Sequence, residues 1–299
     1  MSIIKLLPEV KGKYKENANV GKMCWFGTTG FADVLYIPKN ASDLKSFLKN
    51  KPVNIPITIL GAGSNILIRA NGIEGVVIKL GNEFKYVLHK GLKIIAGAIT
   101  LDITVSNYAM QHSIGNLEFL SGIPGTIGGA LAMNAGAYNN DIASTLIETT
   151  AINFDGEIKT FSVSDIGYAY RSKTLSEEWI FIEATFQGIK KDKAAITYEM
   201  DSIQSQRNSS QPIKSKTGGS TFKNPKDAKA WKLIDQAGCR GMEIGGAKVS
   251  ELHCNFLINV GNATAKDFEN LITKIKERVY KKTGVYLEEE IKIIGKKHL

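Results

Sequence analysis

Cysteine and histidine are scarce in this chain of 299 residues: three cysteines, Cys24, Cys239 and Cys254, stand far apart, and there are only four histidines. No CxxC pair occurs, so neither a disulfide framework nor a zinc site has its usual spacing, and no metal is expected. A second absence is a basic run. Lys+Arg exceed Asp+Glu by 38 − 29 = 9, and the pI is about 9.2, yet no Lys/Arg run is longer than two. Without a basic-aromatic stripe the excess does not predict a nucleic-acid partner, and a site for an anionic small molecule explains it as well. A third absence is a membrane span. The one long uncharged stretch, Phe119–Asn140, is broken by Pro124, by five glycines from Gly122 to Gly136 and by Asn134. A span needs about 20 mainly apolar residues, so no membrane association is expected. Lys5 and Glu9 interrupt the apolar N-terminus, which predicts no signal peptide and a cytoplasmic protein.

What remains is an ordinary globular composition, 43% hydrophobic and 22% charged, long enough for about two domains. The stretch around which the chain is organised is Gly122–Tyr138, GIPGTIGGALAMNAGAY. Its glycines permit close approach and positive φ, and its alanines leave room for something large and flat. It reads as one wall of a cofactor site whose N–H groups can meet an anion. A second glycine turn, Gly61-Ala62-Gly63-Ser64-Asn65, follows the strand-like run Ile57–Leu60 and leads into Ile66–Ile68. A dinucleotide fingerprint would open a helix here and none follows. The turn reads either as a strand–turn–strand phosphate nest or as a plain hairpin.

Ser42 is placed to cap a helix with Leu44, Phe47 and Leu48 on its apolar face, and Thr100 to cap one bearing Val105 and Ala109. Further strands are expected at Val34–Ile37, Val76–Leu80, Phe84–Leu88, Leu92–Ala98, Leu146–Phe154, Ile158–Phe161, Trp179–Phe186 and Cys254–Val260. Tyr168-Ala169-Tyr170-Arg171-Ser172-Lys173 is loop-like, and its arginine, flanked by hydrogen-bonding side chains, would on its own read as a solvated surface residue. After Ile189 the composition turns polar, with a helix around Tyr198–Arg207, and a domain boundary is expected near residue 195. Thr217–Pro225, TGGSTFKNP, gathers Ser220, Lys223 and Asn224 in one turn. A helix is expected at Ala228–Gln236. Thr264 with Asp267 forms a capping box for an amphipathic helix ended by Gly284. The last strand, Glu288–Ile294, alternates and would put Glu290, Lys292 and Ile294 on one face.

Several stretches together resemble one family: LGAGSN, EFLSGIPGTIGGALAMNAGAY, YRSK, GGSTFKNP, GAKVSELHCNFLIN, GNATAKDFENLI and LEEEIKIIG, in that order. The set is similar to the UDP-N-acetylenolpyruvoylglucosamine reductases (UDP-N-acetylmuramate dehydrogenases) of bacterial peptidoglycan synthesis, in their shorter subclass. The resemblance runs from about Phe26 to Gly295. It implies an α+β fold. An FAD-binding half of the vanillyl-alcohol-oxidase type would occupy 1–195 as two α+β subdomains, about 1–75 and 76–195. A substrate-binding α+β domain would occupy 196–299. By resemblance Gly61, Ala62, Gly63, Ser64, Asn65 and Ile66 form the pyrophosphate turn. Gly122, Ile123, Pro124, Gly125, Gly128 and Gly129 form the second flavin-contacting loop. Arg171, Ser220 and Glu290 match the catalytic arginine, serine and glutamate, and Asn224 a substrate-contacting asparagine with Lys223 beside it. Two positions depart from the family pattern: Thr29-Gly30-Phe31 replaces a double glycine before Ala32, and Lys292 replaces an arginine.

The implied reaction passes hydride from NADPH through FAD to the methylene carbon of an enolpyruvyl ether on a UDP-sugar. It leaves negative charge beside the substrate carboxylate and requires a proton on the neighbouring carbon. Arg171 suits the carboxylate, Ser220 the proton delivery, and Glu290 can assist only when protonated. The alternative is a related FAD-dependent oxidase of the same cofactor fold. Many such oxidases tether their flavin through a histidine near the pyrophosphate turn, and Gly61–Ile66 contains none.

Overall fold

Strand Ile57–Ile59 runs parallel to Ile73–Ile78, in register Ile57↔Val76 to Ile59↔Ile78. Their sheet has the order Lys13–Asn19, Phe31–Ile37, Ile73–Ile78, Ile57–Ile59. These assignments come from a computed structural model that describes residues 2–297. Contacts divide the chain into two units, each built from three stretches. The first takes residues up to Lys15, Val34–Ala62 and Val76–Gln206. The second takes Glu16–Asp33, Gly63–Gly75 and the chain from Arg207 onward.

In the first unit, Val34, Tyr36, Val76 and Ile78 pack with Leu44, Phe47 and Leu48 of the helix Ala41–Asn50. The helix cap is Asn40, not Ser42: the Asn40 side chain accepts from the Asp43 N–H at 3.0 Å. Asparagine two residues earlier leaves Ser42 inside the first turn. A second, antiparallel sheet has the order Ile158–Ser162, Leu146–Ile152, Ile180–Gln187, Lys93–Gly97, Val87–Lys90. Its central strand is buried along nearly its whole length. Ile94, Ala96 and Phe186 of this sheet join one core with Val105 and Ala109 of helix Asp102–Gln111 and Ile127 and Leu131 of helix Ile127–Met133. Thr100 does not cap Asp102–Gln111. Its hydroxyl is turned to Tyr86, donating to the carbonyl at 2.9 Å and accepting from the N–H at 3.1 Å. The polar helix is longer than its sequence suggests, Lys193–Ser210.

The second unit has a sheet in the order Lys216–Ser220, Phe256–Asn259, Ala247–Val249, Glu243–Ile244. Helix Ala265–Thr283 buries Phe268, Leu271, Ile272, Ile275 and Val279 in this unit's core. Its capping box is formed: Asp267 N–H donates to Thr264 Oγ1 at 3.1 Å, and Thr264 N–H to Asp267 Oδ2 at 2.8 Å. Gly284 ends it at φ +72°. The shorter helix spans Ala230–Gln236. The last strand is only Lys292–Ile294, parallel to Ile66–Ile68, and Glu290 lies before it rather than on a shared face. Among the described residues no helix is long and apolar enough to cross a membrane.

Candidate active site

The turn Gly61–Ile66 joins strands Ile57–Ile59 and Ile66–Ile68, which belong to different sheets, so it is not a hairpin. Its glycines serve different purposes. A β-carbon on Gly61 would meet nothing nearer than Thr126 Oγ1 at 3.4 Å, so this backbone has room beside it for a close approach. The Gly61 carbonyl is fixed from behind by Lys79 Nζ at 2.7 Å. Gly63 is packed instead. It has φ +69°, and a β-carbon there would lie 2.8 Å from Cys24 Cα and 2.9 Å from its sulfur. The next residue, Trp25, donates its N–H to the Gly63 carbonyl at 3.0 Å.

The glycine-rich wall is not flat. It passes from a 3-10 turn, Glu118–Gly122, through Ile123–Thr126 into the helix Ile127–Met133. Two first-turn N–H groups are spent inside the fold: Ile127 N–H donates to Thr100 at 3.0 Å, and Gly128 N–H to Ala98 at 2.8 Å. These therefore do not serve an external anion. Gly128 is glycine because a β-carbon would press on Ala98, and Gly122 because one would lie 2.6 Å from the Tyr138 ring. Gly129 differs, since a β-carbon there would find only Thr126 Oγ1, at 3.7 Å. A β-carbon on Gly61 or on Gly129 would thus meet only this one threonine hydroxyl, at van der Waals distance.

Arg171 occupies the turn of a small hairpin, Tyr168–Ala169 paired with Ser172–Lys173, at φ +54°. An arginine in this conformation is strained and has to be held. Its Nη2 donates to the Gly136 carbonyl at 2.7 Å and its Nη1 to the Asn134 carbonyl at 3.4 Å. The guanidinium also lies over the Tyr170 ring, 5.2 Å from its centre. It is no freely solvated arginine. The C-terminal end of the helix Ile127–Met133 fixes where it points.

Ser220 ends the strand Lys216–Ser220. The pairing slips between Thr217↔Ile258 and Ser220↔Phe256, so three steps on one strand face two on the other. Gly219, at φ +77°, takes up the extra residue, and such a bulge re-aims the side chain that follows it. Gly218 lies against Phe26, whose ring a β-carbon would strike. Glu290 is carried beside this strand end: its N–H donates to the Thr221 carbonyl at 2.8 Å, and Phe222 bridges Glu289. The Asn65 side chain donates to the Glu290 carbonyl at 3.0 Å, and Lys292 N–H returns to the Asn65 carbonyl at 2.9 Å. Asn65 thus fixes the glutamate's backbone. Lys223 pairs with Glu288 at 2.5 Å, and the Asn224 side chain accepts from Ala230 N–H at 3.0 Å at the start of the helix Ala230–Gln236.

These features sit on a chain with close relatives. It is 47% identical over 289 residues to the UDP-N-acetylenolpyruvoylglucosamine reductase of Anaplasma marginale, covering 97% of this chain and 96% of that one. This chain belongs to the UDP-N-acetylenolpyruvoylglucosamine reductase family. The reductase of Orientia tsutsugamushi is 46% identical with both chains fully covered. The crystal structure of the Thermus caldophilus reductase superposes with a TM-score of 0.82 at 29% identity, over 95% of this chain and 99% of that one. The FAD binding domain family matches residues 32–162, and the C-terminal domain of UDP-N-acetylenolpyruvoylglucosamine reductase matches 211–294. The fold is α+β, an FAD-binding domain with a C-terminal domain of the reductase type. FAD fits the residues present, since the room beside Gly61 and Gly129 is a cradle that side chains would fill.

Three residues packed around these features escaped the sequence reading. Asn134, 3% exposed, ends the helix Ile127–Met133 in the left-handed conformation, and asparagine after a helix is the signal that could have found it. Tyr138, at φ +54°, lays its ring on Gly122 and donates its hydroxyl to Ile203 at 3.2 Å. Asp102 is fully buried, its N–H donates to Gly125 at 3.3 Å, and burial pushes its carboxyl well above the usual range. Nothing in the sequence around Asp102 marks it.

Proposed function

We propose that this chain reduces UDP-N-acetylglucosamine enolpyruvate to UDP-N-acetylmuramate with NADPH, as an FAD enzyme supplying peptidoglycan precursors. The observation that carries the reading is the side-chain-free cradle at Gly61 and Gly129 inside a matched FAD binding domain, on a chain aligned end to end with these reductases. FAD, when bound, supplies the hydride chemistry, taking a hydride from NADPH and returning it to the enolpyruvyl methylene carbon.

The chain's own residues bind, orient and handle the proton. Gly61 through Ile66 would hold the pyrophosphate of FAD, with Gly61 and Gly129 giving backbone approach and Gly63 fixing the turn on Cys24. Gly122, Ile123, Pro124, Gly125 and Gly128 would form the second flavin-contacting loop, in which Gly122 and Gly128 are also packed on Tyr138 and Ala98. Arg171 grips the substrate carboxylate, where charge develops, and a guanidinium stays charged throughout. Ser220, aimed by the bulge at Gly219, delivers the proton to the neighbouring carbon. Glu290, protonated, donates a hydrogen bond to the enolate-like oxygen. Asn224 and Lys223 contact the UDP-sugar, for which each would exchange its present partner. The FAD-binding domain is taken as 1–195 and the substrate-binding domain as 196–299. An enzyme fed by NADPH and a nucleotide sugar works in the cytoplasm, and its scattered basic residues suit these anions rather than nucleic acid or a membrane.

Rapid mixing tests the assignment of Ser220. In Ser220→Ala, flavin reduction by NADPH should keep its normal rate, while reoxidation by the enolpyruvyl UDP-sugar should fall roughly 10²-fold or more. If both half-reactions slow equally, or neither does, the serine only holds its loop and another group delivers the proton.

A further inference from the structure

We propose that Asn134 is a positioning residue for the reaction, holding Arg171 in its working orientation. The inference rests on the reading of Arg171 as the substrate-carboxylate ligand. Asn134 is buried and ties its own helix end to two other pieces of chain. Its Oδ1 accepts from Ala143 N–H at 2.9 Å, and its Nδ2 donates to Asp141 Oδ2 at 3.0 Å and to the Ala169 carbonyl at 3.2 Å. Only this amide orientation satisfies one donor and two acceptors, so the contacts themselves fix it. Its carbonyl receives Arg171 Nη1. Ala169 lies on the first strand of the hairpin that carries Arg171. One residue therefore grips the arginine twice, by the strand before its turn and by the guanidinium.

The backbone of Asn134 is part of the device. At φ +45° and ψ +56° it ends the helix Ile127–Met133 and turns its carbonyl to the guanidinium, with the Gly136 carbonyl beside it. Gly136 is required too, because a β-carbon there would stand 3.1 Å from Arg171 Nη1 and 2.6 Å from the Asn140 carbonyl. A strained arginine at φ +54° stays in place only where its surroundings over-determine it. Asparagine is among the residues that tolerate the left-handed conformation while still offering both a donor and an acceptor.

The test uses the FAD-loaded full-length protein and resolves its two half-reactions by rapid mixing. Asn134→Ala should slow reoxidation by the enolpyruvyl UDP-sugar about 10- to 100-fold, as expected for a displaced catalytic group, with reduction by NADPH near the parent rate. Arg171→Ala should slow the same half-reaction, and the double variant should be no slower than Arg171→Ala alone. Asn134→Gly, which keeps the left-handed backbone but loses the side-chain contacts, should fall between parent and Asn134→Ala. Losses that multiply in the double variant, or an equal slowing of both half-reactions, would overturn the proposal. If Asn134→Ala does not retain flavin, Asn134→Gly carries the same expectations. Flavin loss in both variants would show a purely structural asparagine. If Arg171→Ala itself reoxidises at the parent rate, the reading of Arg171 fails along with the inference. If Arg171→Ala is slow and Asn134→Ala is not, the inference alone fails.

Discussion

Replacing Asp102 by asparagine should make the protein progressively more stable than its parent as the pH rises. Asp102 stands at the start of helix Asp102–Gln111 with neither carboxylate oxygen partnered among the described residues. Burial, the leading cause, lifts its pKa well above the ordinary carboxyl value, while its own N–H pulls the other way. In the unfolded chain the group ionises near pH 4. Between that pH and the folded pKa, folding must take up a proton. The full contribution is therefore present below about pH 4 and is lost as the pH rises toward the folded value. The loss is about 1.4 kcal/mol per pH unit. Asparagine has the same shape and does not titrate. At about 2–4 °C per kcal/mol, the melting temperature of Asp102→Asn minus that of the parent should climb roughly 3–6 °C per pH unit until the folded pKa is reached. Thermal unfolding of both proteins from pH 5 to 8 in one buffer series reads this directly. The amide adds its own constant offset, so the slope is the test and not the sign at one pH. A difference that stays flat from pH 5 to 8 would show that Asp102 is ionised and paired in the folded protein.

Two further substitutions probe the frame around the site. Gly63→Ala combines a positive φ with a contact on Cys24 and should cost about 1–3 kcal/mol, with a lower melting temperature and less flavin per protein after purification. Full flavin content at the parent melting temperature would mean that the turn gives way freely. Thr264→Ala removes one half of the capping box on the long helix and should cost about 1 kcal/mol, read by denaturant titration, with both half-reactions unchanged.

The chain announces its elements better than their ends. Periodicity finds the buried faces of Ala41–Asn50 and Ala265–Thr283 because each stripe covers a single core. It misplaces the caps at Asn40 and Leu101 because several polar residues compete at each helix start, and tertiary contacts such as Thr100 with Tyr86 decide between them. The glycines are visible as a motif, but their division of labour is not. Whether a glycine has room for a β-carbon, as Gly61 and Gly129 do, or is packed tightly on a neighbour, as Gly63, Gly122 and Gly128 are, depends on residues far off in sequence. Arg171 and Ser220 come from motif resemblance. What aims them, the Asn134 carbonyl and the bulge at Gly219, lies in backbone conformations that residue identity only hints at.

The division of the second unit into three stretches has a consequence for how the protein is made. Phe26 and Leu67 are wholly buried, yet every other member of their core lies at Phe222 or beyond. Asn65 likewise waits for Glu290, 225 residues later. At about 5–20 residues per second, a ribosome needs roughly 10–45 s between the two. The first unit, complete by Gln206, can close during that interval. The early segments of the second unit cannot, and Phe26 and Leu67 leave the ribosome before the rest of their core exists. They are the part of the nascent chain that chaperones would be expected to hold, and a translation pause before Phe222 would lengthen their exposure more than a pause anywhere after Glu290.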